Sequence, residues 1–439
     1  MTSPFDPAAS PTALARRLVA EGRREEAEQV VAALIGENFE LAVAGLRINA
    51  DWSSLNSLNG TVETAGGERF FFKFHQEEGE EATVEEYYRA ELLQSAGLPV
   101  DVPAMICRRP GHQVLLYRFR RDRQLAGACL DVERGGDAGA TAALVDLERG
   151  LDRLTGEVYV KTLHPSTADQ SRAAPIHQLF HNRLVTPPEA ARLGGRVARF
   201  YAGQPMALPG VTLAYEDFAR LRWRINGVDY CRSVDALFRE SLVRLEPGRL
   251  GASGGVIAHG DAHNANVWIE ERDGAARLVL FDPAFAGSHV PALLADVKAT
   301  FHNVFAHPFW LYHPAEADAR YHVRLAVDGD VIDVEHDWDL PPLRRGFLDA
   351  KVELVWRPLL AALRDRRLLP DDWQRILRLA LFCCPTLVMS LRAGAAHGAT
   401  AGRSPAVSAL SFAIAVMAGS EPVAGADLFS RFLAEIEPG

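Results

Sequence analysis

Lysine is almost missing from this chain. Of 47 basic residues only four are lysines, namely Lys73, Lys161, Lys298 and Lys351. Arginine is the default cation here, so each lysine asks for a reason of its own. Cysteine is sparse too: Cys107, Cys129, Cys231 and the adjacent Cys383 and Cys384 are too few and too badly spaced for a disulfide frame or a cysteine-based zinc site. No apolar run approaches the ~20 residues that cross a bilayer. The first residues, MTSPFDPAASPTALARR, lack the basic start and apolar core of a secretory signal. These absences lead us to expect a protein of the reducing cytoplasm with no membrane partner. Surplus positive charge is missing as well, and a net charge of −10 speaks against a nucleic-acid partner.

What is present is ordinary for a globular protein. The 439 residues are 48% hydrophobic and 24% charged, enough for two or more domains or one bilobal enzyme. Residues 11–34 carry apolar positions at helical spacing and predict a helix or helix pair within an N-terminal extension, 1–40. From about residue 42 the period changes. FELAVAGLRINA, GTVETAGG and ERFFFKFH read as strands, ATVEEYYRAELLQSAG as a helix ending at Gly97, and LPVDVPAMICRRPGHQVLLYRFR as two more strands. Residues 41–120 thus predict a small antiparallel sheet with one main helix. RDRQLAGACLDVERGGDAGAT reads as a polar, glycine-rich connector. PSTADQSRAAP reads as a loop, TPPEAARLGGRVARFYAG as a helix, and GEVYVKTL fits either helix or strand. HVRLAVDGDVIDVEHDW predicts a hairpin about its DG turn, and long apolar helices follow.

Four features carry chemistry. SSLNSLNGTVET (53–64) reads as a small-residue turn able to bring backbone N–H groups near an anion, with Ser57 and Asn59 as candidates; a plain hairpin connection competes. Lys73 is flanked by phenylalanines, a costly place for a cation unless an anion meets it. An edge-strand lysine reaching for solvent is the alternative. Glu86 shares a helix face with Ala90, Leu93 and Gly97 and could hold Lys73, with Glu85 and Glu91 as competitors. The densest feature is VIAHGDAHNANVWIE (256–270), followed by RLVLFDPAFAG (277–287). A DG turn at 273–274 between them would bring Asp261, Asn266 and Asp282 to one end of a hairpin. Magnesium prefers hard oxygen ligands, which Asn266 and Asp282 supply, leaving Asp261 to accept a proton.

HGDAHNANVW followed by VLFDPAFAG resembles the motifs of the aminoglycoside phosphotransferase and choline kinase superfamily. That resemblance implies an α+β, bilobal protein-kinase-like fold. Its N-lobe would be a small antiparallel sheet with one main helix, and its C-lobe (121–439) large, mostly helical and home to the catalytic hairpin. It implies ATP and Mg²⁺ as cofactors, Asp261 as catalytic base, Asn266 and Asp282 as metal ligands, Lys73 on the phosphates and Glu86 as its partner. VLLYRF (114–119) would end at the backbone that meets adenine, making Tyr117 and Phe119 candidates, and TLH (162–164) would close a helix. His259 and His263 become supports of the loop, and Asp296 a structural acid. Ala262, Asn264 and Ala265 stand where the family more often has Leu, Pro and Gly, and Pro283 follows the metal aspartate directly. Extra material at about 121–190 has no counterpart in the pattern.

The expected activity is phosphoryl transfer to a hydroxyl of a sugar-like small molecule, an amino sugar or aminoglycoside first. A choline- or homoserine-type alcohol kinase and a silent nucleotide-binding module are the alternatives. A metal hydrolase built on the same histidines, with His302 and His307 added, needs further ligand clusters that the chain does not offer. Eight acids between residues 313 and 340 suggest a cationic substrate, against the simpler reading of a solvated hairpin face. Phe309, Trp310 and Tyr312 suggest either sugar stacking or core aromatics.

Overall fold

The computed structural model describes residues 10–49, 57–75, 82–186, 189–395 and 402–438. They divide into two compact units: the chain up to residue 95 with 99–122 and 279–284, and residues 96–98, 123–278 and 285 onward. Both mix helices with small sheets.

In the first unit, helices α1 (Pro11–Ala20) and α2 (Arg24–Phe39) precede strands β1 (Val43–Ile48), β2 (Ser57–Thr64) and β3 (Arg69–His75). Helix α3 (Ala82–Ala96) and strands β4 (Met105–Cys107) and β5 (Val114–Arg118) follow. The five strands form one antiparallel sheet in the order β1-β2-β3-β5-β4. Alternation along RFFFKFH decides what each face does. Phe70, Phe72 and Phe74 are buried in one cluster with Ala15, Leu18, Ala27, Val31, Leu34 and Ile35, so α1 and α2 close that face of the sheet. Lys73 and Phe71 take the opposite face, and the register puts Asn59 and Leu115 beside Lys73, and Tyr117 beside Phe71. Residues 57–64 are strand, so Ser57 and Asn59 lie on β2 rather than in a turn; residues 50–56 of the expected turn lie outside the described residues. The segment at 279–284 joins this unit through the Val100–Leu280 bridge, with Asp101 N donating to Leu280 O at 2.7 Å.

The second unit holds most of the helices. The stretch expected to be a connector is instead β6 (Arg123–Gln124), α4 (Leu125–Gly135) and the start of α5 (Ala138–Thr162). Leu125, Ala128 and Cys129 are buried at i, i+3 and i+4, and Gly136 at φ 64° caps α4 in the left-handed region. Its glycines therefore end a helix rather than make a loop. GEVYVKTL belongs to α5. The expected loop at 165–175 contains a short helix, Ala168–Arg172, fixed by a capping box between Thr167 and Gln170. The helix expected over 186–203 is mostly absent: Glu189–Leu193 is a strand paired with Val185–Thr186, and only Gly195–Phe200 is helical. Gly195, at φ 51°, is the break, since a Cβ there would stand 2.5 Å from Arg183 O.

Strand Val267–Arg272 lies between Ala275–Leu280 and β6, and Gly255–Ala258 pairs with Gly287–Pro291. The DG hairpin forms as expected, Val323–Asp328 against Val331–His336. Helices Pro342–Lys351 and Arg357–Asp365 run on through a π turn at Val352–Trp356. That turn brings Leu354 O so close to α5 that a Cβ on Gly156 would meet it at 1.9 Å. Trp373–Val388, Pro405–Gly419 and Leu428–Glu435 complete the helices. Among the described residues no helix is long and apolar enough to cross a membrane.

Candidate active site

Strand Gly255–Ala258 delivers the chain to His259, which is buried, and then to Gly260 at φ 81°. A side chain at 260 would meet Phe285 O at 2.7 Å, so only glycine makes this bend. The bend turns Asp261 back on its own neighbours. Its N–H donates to His259 Nδ1 at 3.3 Å, and its carbonyl accepts from His263 N at 2.8 Å and Asn266 Nδ2 at 2.9 Å. Asn266 spends its amide N–H on that carbonyl, which leaves Oδ1 as its remaining ligand atom.

The loop is also held from outside. Asn303, buried in the π turn Phe301–Phe305, accepts from Asn264 N at 2.8 Å and donates to Ala262 O at 3.4 Å and Glu148 Oε1 at 3.3 Å. Its own carbonyl accepts from Arg344 Nη1 at 2.7 Å, and Arg344 Nε donates to Glu133 Oε1 at 2.6 Å. Glu148 leads to Lys351, whose ammonium lies 2.6 Å from Asp152, 3.3 Å from Asp296 and 3.8 Å from Glu148. Every charged group of that cluster is buried. Asp296 has the structural place that the resemblance implies, bonded to Thr300 Oγ1 at 3.0 Å.

The Asp261 side chain is 14% exposed, with Nε2 of His263 3.9 Å from Oδ2. Oδ1 is buried and has no hydrogen-bond partner among the described residues. Burial pushes this carboxyl up, but His263, Lys298 and Arg183 outweigh it and hold the group below the usual carboxylate range. It is an ionised acceptor with one oxygen unspoken for. Lys298, buried, donates to His302 Nε2 at 2.7 Å, and His302 Nδ1 meets the Tyr312 hydroxyl. His307 Nδ1 lies 3.4 Å from Glu133 Oε2. Both histidines proposed for a hydrolase thus have other partners, and among the described residues no group of three His, Cys, Asp or Glu side chains is arranged to hold a metal ion.

In the sheet-bearing unit, Lys73 is 5% exposed and its Nζ pairs with Asp282 Oδ1. Asp282 sits at φ 58°, a left-handed conformation that aspartate tolerates better than most side chains. Arg89 on α3 donates to Ala284 O two residues on. Ala90 and Leu93 are buried as the helix face requires and Glu91 is exposed, while the side chains of Glu85 and Glu86 lie outside what the structure describes. Asn59 Oδ1 accepts from Asn49 Nδ2 at 3.0 Å, and Tyr117 is buried with its ring 6.4 Å from that of Phe71. Phe119 follows β5, its N–H on Arg69 O at 3.1 Å and its ring under the Arg69 guanidinium at 4.2 Å.

TLH closes α5 as anticipated, with Leu163 as the cap and His164 bonded through Nε2 to His289 Nδ1 at 2.8 Å. Phe309 and Trp310 are core aromatics, Trp310 donating to Phe305 O at 2.9 Å. Sequence reasoning missed Asn303, Lys298 and the Tyr312 hydroxyl. The scarcity of lysine was the available signal for Lys298; nothing in the sequence pointed to Asn303.

No family model matches the chain, and no curated protein matches its sequence. Several solved structures are similar to it. An aminoglycoside phosphotransferase of Alicyclobacillus acidocaldarius is 12% identical, with 91% of this chain and 93% of that one covered, at a TM-score of 0.35. The macrolide 2'-phosphotransferase MphH of Brachybacterium faecium is 13% identical over 81% of this chain and 98% of its own, at 0.32. A Thermobifida fusca protein named for fructosamine-3-kinase is 16% identical over 82% and 91%, also at 0.32. At such scores function has to come from the chain's own residues.

Proposed function

We propose that this chain is an ATP- and Mg²⁺-dependent small-molecule kinase of the protein-kinase-like kind, acting on a hydroxyl of a sugar-like acceptor. The observation that carries this reading is the loop in which Asp261 stays ionised with one oxygen unpartnered while its carbonyl holds the Asn266 amide at 2.9 Å. One turn of chain thereby prepares a base and a hard metal ligand together.

Each unit carries donors of the right chemistry. Asn266 Oδ1 and the Asp282 carboxylate are hard oxygens suited to Mg²⁺, and the buried Lys73 ammonium is suited to phosphate oxygens. When bound, Mg²⁺-ATP supplies the γ-phosphoryl group and the charge that neutralises it. Asp261 orients the acceptor hydroxyl and takes its proton at the carboxylate, a contribution of typically ~10²–10⁴ in rate. His259 and the neighbouring backbone keep that carboxylate in place. Asp282, in its left-handed conformation, is turned onto Lys73, which would order both before nucleotide arrives. Asn59 and Tyr117 share the sheet face of Lys73 and would line the nucleotide's place; Ser57, Phe119 and Glu86 are assigned there by resemblance alone.

The test is a coupled assay of ADP release across aminoglycosides, amino sugars, neutral sugars and amino alcohols. Acceptor-dependent turnover is expected from a sugar-like compound. Turnover confined to amino alcohols would move the chain to the choline-kinase side, and silence with intact nucleotide binding would make it a regulatory module.

A further inference from the structure

Six of the eight acids that suggested a cationic acceptor pair with cations or a histidine at the surface. Asp330 pairs with Arg222 at 2.8 Å, Asp337 with His322 at 3.0 Å, and Asp333 and Glu335 with Arg224 and Arg324 at 3.8 Å. Asp339 pairs with Arg345 and Glu316 with Arg134. Most of these partners are exposed, as on any solvated hairpin.

The surroundings of Asp261 carry the opposite sign. Lys298 lies on the short helix Val297–Thr300 and is 3% exposed. Among the described residues only His302 receives a hydrogen bond from its ammonium, at 2.7 Å. An ammonium can only donate, so His302 Nε2 is the acceptor and Nδ1 carries the hydrogen toward Tyr312 Oη. The imidazole is thus neutral and cancels none of the lysine's charge; burial and Lys298 both push it well below the usual histidine range. The His302 ring stands 6.1 Å from that of His263, which in turn stands by Asp261. Arg183 bears electrostatically on Asp261, Lys298 and His302 alike, and Arg196 on Lys298. One carboxylate therefore faces a buried lysine, arginines and histidines. Burial pushes the Lys298 ammonium below the usual lysine range and Asp261 opposes this. Two of its donors make no hydrogen bond among the described residues, and an anion that took them would offset the cost.

We propose that Lys298 forms an anion subsite beside Asp261, to which Arg183 adds its charge, so that the acceptor is a hydroxyl compound bearing a carboxylate or a phosphate. The acceptor part rests on the kinase reading; the anion subsite does not. Lys298 is then the specificity-determining residue of the site.

The test has two arms. Inorganic phosphate and malonate are titrated by calorimetry into wild type, Lys298→Met, Arg183→Gln and, as a control on the solvated hairpin, Arg324→Gln. Binding weakened about tenfold or more in the first two variants and unchanged in the third is expected. Equal binding in all four, or none to wild type, overturns the subsite. Arg183→Gln leaves the Lys298–His302–Tyr312 contacts in place, so the test survives a Lys298 variant that fails to fold. In the second arm, turnover is compared for glucosamine, glucose, gluconate and glucose 6-phosphate. Preference for one of the two anionic compounds, lost in Lys298→Met, is expected and tells carboxylate from phosphate. Preference for glucosamine overturns the acceptor class. Silence with all four, beside Lys298-dependent anion binding, removes the kinase reading and leaves the subsite. Turnover without that binding does the reverse.

Discussion

Asn303 Oδ1 accepts the backbone N–H of Asn264 at 2.8 Å, and this bond ties the Asp261 loop to the buried frame of Glu148, Lys351 and Arg344. Both residues are almost wholly buried, so no water replaces the bond if it is lost.

Asn303→Ala is therefore expected to cost about 1–3 kcal/mol of stability through the orphaned amide. It is also expected to lower kcat at least tenfold, because a loop displaced by about 1 Å loses that much positioning. KM for ATP stays within about twofold of wild type if Asn303 acts only on the loop, a ratio set by ground-state binding. Steady-state kinetics beside thermal unfolding decides the matter: a lowered Tm with unchanged kcat would make Asn303 a purely structural residue.

Asp261→Asn keeps the side chain's shape and the backbone carbonyl that Asn266 and His263 use. It removes the ionised acceptor alone. Turnover is expected to fall by about 10²–10⁴, with nucleotide affinity near wild type by calorimetry. Retained turnover would end the catalytic assignment.

The antiparallel sheet was legible because RFFFKFH alternates a buried phenylalanine face with a face bearing Lys73, and strand period survives any tertiary context. The DG hairpin was legible for the same local reason. Helix α4 was not, since three buried positions among eleven residues were masked by charge and glycine. The strand at 189–193 was missed because its composition suits a helix, and its pairing with 185–186 is a tertiary fact. At the site, motif residues could be picked out by chemistry and spacing. Asn303 and the Lys298–His302–Tyr312 contacts could not, because their partners are distant in sequence or depend on how a π turn aims them.

Lys73→Met leaves Asp282 without its ion-pair partner and the sheet face without its buried cation. The nucleotide dissociation constant is expected to rise about tenfold or more, with turnover falling in step, while circular dichroism shows the fold retained. Unchanged kinetics would return the lysine to a packing role.

Glu148, Asp152 and Asp296 share one lysine, so three buried carboxyls crowd a single ammonium. Burial pushes all three up from their ordinary values of 4.5 and 3.8, and Lys351 opposes it only in part. A carboxyl whose folded value exceeds its unfolded one takes up a proton on folding. Its contribution is therefore full below the unfolded value and is lost as pH rises through the folded one. Glu133 works the other way: burial pushes it up, but His307 and Arg344 outweigh that and hold it at about 2, so its contribution is present above 4.5 and lost in acid. A single substitution separates the two. Asp152→Asn mimics the protonated acid, so its stability relative to wild type is expected to improve as pH rises from 5 to 8, by up to about 1 kcal/mol per pH unit. Denaturant unfolding of both proteins across that range reads the difference directly. A flat difference would mean that all three acids are ionised and that Lys351 alone is enough to keep them so.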